Sequence, residues 1–301
     1  MTTIAFIGLG HMGGPMAANL ARAGIRVLGF DLVPASLDAA RAAGIKVADS
    51  AVAAVAEANT VITMLPNGPD VIAAYGDSGE NGSGLLAAAK PNTLFIDCST
   101  IAVDDARVAA GMAVAAGHRA LDAPVSGGVV GAENATLAFM VGGEDTDFHE
   151  AQPLLDLMGR RIVHCGGTGL GQAAKVCNNM ILAVSQIAVA EAFVLAERLG
   201  LSDQALYDVA SNASGECWAL TTNCPVPGPV PTSPANRDFQ PGFAGFLMNK
   251  DLGLAEQAIA LTGVDARLGL LAREIYADYA AGEGAHRDFS GIIETIRSRV
   301  A

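Results

Sequence analysis

The residues of this chain able to do chemistry fall in a few short stretches. Lys175-Val176-Cys177-Asn178-Asn179 sets Lys175 and Asn179 one helical turn apart, on one face of any helix they belong to. A lysine desolvated at a reacting centre is a candidate general acid or base. Spacing alone favours an ordinary solvated helix lysine. Asp122-Ala123-Pro124-Val125-Ser126-Gly127-Gly128 offers the Ser126 hydroxyl beside two glycines, Gly127 and Gly128, whose N–H groups are unshielded. That set suits a carboxylate or carbonyl oxygen, and it equally describes a turn after a strand. In Met248-Asn249-Lys250-Asp251 the simplest reading of Lys250 and Asp251 is a surface charge pair. The five histidines form no HxxxH or HxxE spacing, so no metal site is expected. No GxSxG or Ser/His/Asp pattern points to a hydrolase.

The element with the plainest positioning role is the N-terminal one. Thr3-Ile4-Ala5-Phe6-Ile7 is a short apolar run with β-branched residues, as a buried parallel strand requires. It leads into Gly8-Leu9-Gly10-His11-Met12-Gly13. A helical pattern follows, with Met16, Leu20 and Ala23 on one face and Gly24 as its stop. Ile25–Phe30 reads as a second strand ending at Asp31. Strand, GxGxxG, helix, strand and acidic residue occur in the order that dinucleotide binding needs. Gly8 permits the tight turn, Gly10 the approach of a pyrophosphate, and Gly13 close packing of the helix. The helix N-terminus presents N–H groups to phosphates. Asp31 can accept hydrogen bonds from a ribose 2′-hydroxyl and repels a 2′-phosphate. No Arg or Lys follows it in Leu32-Val33-Pro34, so NAD is expected over NADP.

Further along, strand-like runs at Thr60–Met64, Leu94–Asp97, Arg119–Ala123, Ala138–Val141 and Arg161–His164 are mostly separated by helical segments. The expected fold is α/β: a Rossmann-type doubly wound, mostly parallel sheet over residues 1–165, then an all-helical domain over 166–301. A long helix over about 172–199 links the two, which sets Lys175 near its start. Further helices are expected at 203–212, 244–262, 266–281 and 288–299. Pro225, Pro227, Pro229, Pro231, Pro234 and Pro241 exclude a regular helix from 219–241, which reads as an ordered excursion over the surface.

Composition narrows the function classes. Of 301 residues, 51% are apolar and 16% charged, as in a well-packed globular chain, and the formal net charge is −13. With no basic stripe, neither nucleic acid nor an anionic membrane is an expected partner. Five cysteines without a CxxC pair fit reduced thiols. No charged leader precedes the first strand, and no apolar run of about 18 residues is uninterrupted, so a cytoplasmic location is expected.

Four blocks together resemble the β-hydroxyacid dehydrogenase family: GLGHMGGPMAANL at 8–20, DAPVSGGVVGAENATL at 122–137, GLGQAAKVCNNM at 169–180 and LMNKDLGLA at 247–255. They span nearly the whole chain in family order. The resemblance implies NAD-dependent oxidation of a small 3-hydroxy acid, 3-hydroxyisobutyrate first. The alternatives are reduction of tartronate or succinate semialdehyde, oxidation of serine-like 3-hydroxy acids, or a regulator that binds NAD without catalysis. It implies that Lys175 is the catalytic lysine and that Asn179 helps hold it and the substrate. By the same resemblance Ser126, Gly127 and Gly128 hold the substrate carboxylate. Lys250 approaches the nicotinamide end of the cofactor with Asp251 in support, and Leu65, Pro66 and Thr100 line its groove beside Leu9, His11 and Met12 of the glycine loop. Trp218 is either a lid over the substrate or a core residue. The family often has Gly where Ala135 stands, an awkward exchange if the backbone there needs a positive φ. The long apolar helix points to a homodimer or homotetramer.

Overall fold

The computed structural model describes residues 2–76 and 84–299 and parts into two compact units, Met1–Lys175 and Val176–Ala301. Among the described residues the first unit holds nine strands: β1 Thr3–Ile7, β2 Arg26–Phe30, β3 Lys46–Val47, β4 Thr60–Thr63, β5 Leu94–Asp97, β6 Arg119–Asp122, β7 Val125–Ser126, β8 Leu137–Gly142 and β9 Gly159–Gly166. Their order is β3-β2-β1-β4-β5-β6-β8-β7, with β9 on β8. The pairs from β3 to β6 are parallel, while β8 runs antiparallel to β6 and β7. This is the expected doubly wound sheet. Two short strands, β3 and β7, were not expected; two residues are too few to show an alternation. Ser126, for which a turn after a strand is one of two sequence readings, lies on β7, paired with Ala138 of β8.

Parallel strands covered on both faces must be apolar throughout, and β1, β4 and β5 are buried at every residue. The helix Gly13–Arg22 turns Met16, Ala17, Asn19 and Leu20 inward. Its buried Asn19 donates to the Ala132 carbonyl at 2.7 Å, tying it to the short helix Gly128–Glu133. Just beyond that helix, Ala135 has a φ of +55°, in the left-handed region that glycine tolerates best.

In the second unit the expected helices are present as Asp203–Ala210, Gly245–Thr262, Arg267–Ala280 and Ile292–Ser298. They pack with the long helix Leu170–Arg198 around Phe193, Leu220, Met248, Leu252, Tyr276, Phe289 and Ile292. The proline-rich stretch is a surface excursion only in part, with Pro227, Gly228, Pro231 and Thr232 exposed. Cys224, Val226 and Val230 are buried in this core. Asp288 replaces the missing ladder. Its buried carboxylate accepts from the backbone N–H groups of Gly242 (3.0 Å), Phe243 (3.1 Å) and Ser290 (3.1 Å), and from the Asn223 amide (3.1 Å). The Leu170–Arg198 helix is long and apolar enough to cross a membrane by length and composition. Its buried Gln172, Lys175, Asn179 and Gln186 are spaced along it as in a helix packed against protein.

Candidate active site

In an open parallel sheet the ligand crevice lies beyond the strand carboxyl ends, where the strand order reverses. Here that point is β1, flanked by β2 and β4. The register aligns Ile7, Thr63, Asp97 and Asp122 in one row across β1, β4, β5 and β6. Three polar side chains therefore stand side by side at the strand ends, and each organises a loop.

The loop after β1 is shaped for a pyrophosphate. Gly8 has a φ of +95°, and a Cβ there would overlap the Met64 carbonyl. A Cβ on Gly13 would overlap the Gly8 carbonyl, whereas among the described residues no atom beyond its two chain neighbours lies within 4 Å of the position a Cβ on Gly10 would take. The open space thus falls at the second glycine, before a helix whose N-terminus has no side-chain cap and no acidic residue in its first turn. These residues fit a dinucleotide. Leu9 is buried, Met12 half-buried and His11 exposed. Asp31 closes the loop from β2: Leu9 N–H donates to Oδ2 (2.6 Å) and Val33 N–H to Oδ1 (2.8 Å).

The loops after β4 and β5 are fastened by a buried network. Thr63 Oγ1 donates to Asp97 Oδ1 (2.7 Å), as does Ser99 Oγ (2.6 Å). Ser99 Oγ in turn accepts the Leu65 N–H at 2.8 Å. Burial pushes the Asp97 carboxyl up to about 6, against the lowering effect of the Ser99 and Thr63 hydrogen bonds. Among the described residues its Oδ2 is buried without a hydrogen-bond partner, an arrangement less costly for a neutral acid than for an anion. Leu65 and Thr100 are half-buried beside this network, and Pro66 is exposed.

Asp122, at the end of β6, grips the start of the long helix. Its carboxylate accepts the Gly169 N–H at 2.7 Å and the Gln172 N–H at 2.9 Å. Burial raises its pKa, and those two hydrogen bonds oppose the rise. Gln172, fully buried, donates from Nε2 to the Ser99 carbonyl (2.7 Å) and accepts the Ile101 N–H on Oε1 (3.2 Å). Lys175 follows one turn later and is only 6% exposed, so it is not a solvated helix lysine. Ser126 and Gly128 are half-buried and Gly127 exposed, and Ser126 Oγ has no hydrogen bond among the described residues.

In the second unit, Asn179 is buried and its Nδ2 donates to Asp251 Oδ2 at 2.5 Å, while Asn178 Nδ2 donates to Asn179 Oδ1 at 2.9 Å. Asp251 is buried and Lys250 half-buried, so the two are not a surface charge pair. Trp218 is 52% exposed at the start of the short helix Trp218–Thr221, which removes the core alternative for it. Sequence reading missed Asp97, Asp122 and Gln172 as organising residues. The available signal was an aspartate ending each of two apolar strands, where a buried carboxylate must find donors. Among the described residues, no group of three or more His, Cys, Asp or Glu side chains is placed to hold a metal.

Comparison with known proteins adds names to this geometry. Residues 3–167 match a family described as the NAD-binding domain of 6-phosphogluconate dehydrogenase, and residues 169–296 one described as NAD-binding of NADP-dependent 3-hydroxyisobutyrate dehydrogenase. The probable 3-hydroxyisobutyrate dehydrogenase of Mycobacterium tuberculosis is 60% identical over 299 residues, 99% of each chain. The NAD-dependent L-serine dehydrogenase of Pseudomonas aeruginosa is 46% identical over 290 residues, 96% of each. A solved structure of Mycobacterium tuberculosis 3-hydroxyisobutyrate dehydrogenase with L-serine superposes with a TM-score of 0.93, at 60% identity and 99% coverage of both chains.

Proposed function

The chain belongs to the β-hydroxyacid dehydrogenase family, and from that premise we propose that it oxidises 3-hydroxyisobutyrate to the semialdehyde with NAD. The observation that carries the reading is Lys175, buried one turn beyond a helix start that is hydrogen-bonded to two strand-end loops. When bound, the nicotinamide supplies the acceptor for the hydride leaving the carbinol carbon. Lys175 takes the hydroxyl proton in that direction and returns it to the carbonyl oxygen in reverse. Ser126 Oγ and the N–H groups of Gly127 and Gly128 hold the substrate carboxylate, for which neutral donors suffice. Asn179, held by Asp251, orients the substrate beside Lys175, and Trp218 is the lid.

On the cofactor side, Gly8, Leu9, Gly10, His11, Met12 and Gly13 hold the pyrophosphate, and Leu65, Pro66 and Thr100 line the groove. Lys250 serves the nicotinamide end with Asp251 in support. Asp31 supports NAD over NADP, because its carboxylate would face a 2′-phosphate with like charge. One matched family is described as NADP-dependent, so this choice rests on Asp31 itself. We assign the protein to the cytoplasm and to a homodimer or homotetramer. Exposed Ile181 and Leu195 on the long helix, with exposed Leu199 just beyond its end, support an apolar interface.

L-serine is the second reading, favoured by the 46% identical L-serine dehydrogenase and by the ligand of the superposed structure. An NADH absorbance assay on both acids separates the two. The proposal expects the higher kcat/KM with 3-hydroxyisobutyrate and NAD, and a drop in kcat of roughly 10²–10⁴ for Lys175→Ala. A higher kcat/KM for serine would move the assignment to the second reading. Near-normal turnover of the alanine variant would remove Lys175 from the chemistry.

A further inference from the structure

The side-chain amide of Gln172 is fully buried and used at both ends, and its two partners bracket a single residue. Nε2 donates to the carbonyl of Ser99, Oε1 accepts the N–H of Ile101, and Thr100 lies between them. The backbone N–H of the same residue is held by Asp122 Oδ2. Gln172 is therefore the junction at which the end of β6, the loop after β5 and the first turn of the long helix meet. Through Ser99 Oγ, which accepts the Leu65 N–H, the loop after β4 joins as well. Three residues further on, on the same side of the helix, is Lys175.

We propose that Gln172 is a positioning residue that fixes Lys175 relative to the groove-lining Thr100 and Leu65, so that the loop assigned to the cofactor and the proton-transferring amine move as one body. This rests on the assignment of Lys175 as the acid/base group. Apolar contacts are non-directional, whereas the two hydrogen bonds of the Gln172 amide fix direction and register relative to the 99–101 backbone. Misplacement of a catalytic group by about 1 Å is worth up to about 10²-fold in rate. No substrate or cofactor atom need touch Gln172 for it to act.

The test uses the full-length protein with NAD and 3-hydroxyisobutyrate. Gln172→Leu keeps the volume and removes both bonds. It is expected to lower kcat about 10–100-fold, with the Kd for NADH, read by its fluorescence, changing less than about 5-fold. In a Lys175→Ala background the same change should lower the residual rate less than about 2-fold, since there is no amine left to position. A loss that is equally large with and without Lys175 would overturn the proposal and leave Gln172 a structural residue. Near-normal turnover of Lys175→Ala alone would instead sink the acid/base assignment, a distinct outcome.

Gln172→Glu gives a second reading that does not depend on the leucine variant folding. Protonated, its carboxyl offers an O–H to Ser99 O and a carbonyl to Ile101 N–H, as the amide does. Ionised, it sets an oxygen against an oxygen. The kcat of this variant relative to the unmodified protein should therefore rise as pH falls from about 8 to about 6. Asp97, Cys98, Arg107, Asp122, Cys165 and Lys175 are ionisable groups near this turn, and the ratio removes the pH dependence that the two proteins share. A ratio that is flat with pH would show that the donor to Ser99 O is immaterial and would overturn the proposal.

Discussion

Asp122 in the first unit and Asp288 in the second are both buried carboxylates that accept backbone N–H groups, and they hold different things. Asp122 takes two N–H groups at the start of a helix, where the helix dipole already favours an anion. The helix would form without it; the carboxylate decides where the helix begins. Asp288 takes N–H groups from Gly242 and Phe243 and an amide from Asn223, in a stretch whose prolines cannot donate to a ladder. There the carboxylate is the organising structure itself. One residue type thus supplies position in one unit and foldedness in the other.

The contrast can be broken by exchanging what each variant loses. Asp288→Ala leaves buried donors without an acceptor and should lower unfolding free energy by about 4 kcal/mol. Its kcat per folded molecule should stay within about twofold, measured after titrating active sites with NADH. A third buried carboxylate sharpens the comparison through pH. The Asp97 carboxyl, raised to about 6, keeps its proton in the folded chain where an unfolded aspartate loses it near pH 4. The folded state then binds more protons between those values, so stability falls as pH rises from about 4 to about 6 and is level above. Asp97→Asn should erase a decline of about 2–3 kcal/mol, seen by comparing urea denaturation of the two proteins at pH 4 and pH 7. An identical decline in both proteins would place the pH dependence elsewhere.

Asp122→Asn keeps one acceptor and removes the charge. It should lower kcat about 10-fold while costing only about 1 kcal/mol of stability. Should Asp122→Asn prove mainly unstable and Asp288→Ala mainly inactive, the contrast is reversed. The smallest effect is expected at Ala135. Its φ of +55° carries strain that glycine would relieve, offset by the greater freedom of glycine in the unfolded chain. Ala135→Gly should be neutral to about 1 kcal/mol stabilising in thermal denaturation.

What could be read from sequence was what is local. The glycine loop, its helix, β2 and Asp31 sit within one βαβ unit, so spacing alone displays them. The long helix and the proline-rich stretch were visible for the same reason. The partners of Asp122 are 47 and 50 residues away and those of Gln172 are 71 and 73 away. No periodicity carries that information. Lys175 has the spacing of any helical lysine, and only its neighbours in space remove it from water. In the 224–230 segment prolines signal exposure, which holds for Pro227 and Gly228 but not for their apolar neighbours. Proline forbids regular structure, but Val226 and Val230 beside it still seek a core.

Asp31 carries a consequence for how such a protein can change. Its two oxygens already bridge the glycine loop at Leu9 and the turn at Val33, so the residue proposed to discriminate between the two cofactors is also a clasp on the glycine loop. Replacing it with a small neutral residue unties the loop at the same moment that it removes the repulsion. A lineage exchanging one cofactor for the other would therefore pass through a form that binds both poorly. The order of events matters: a new tie between Leu9 and the β2 end must come first, and the change of charge second.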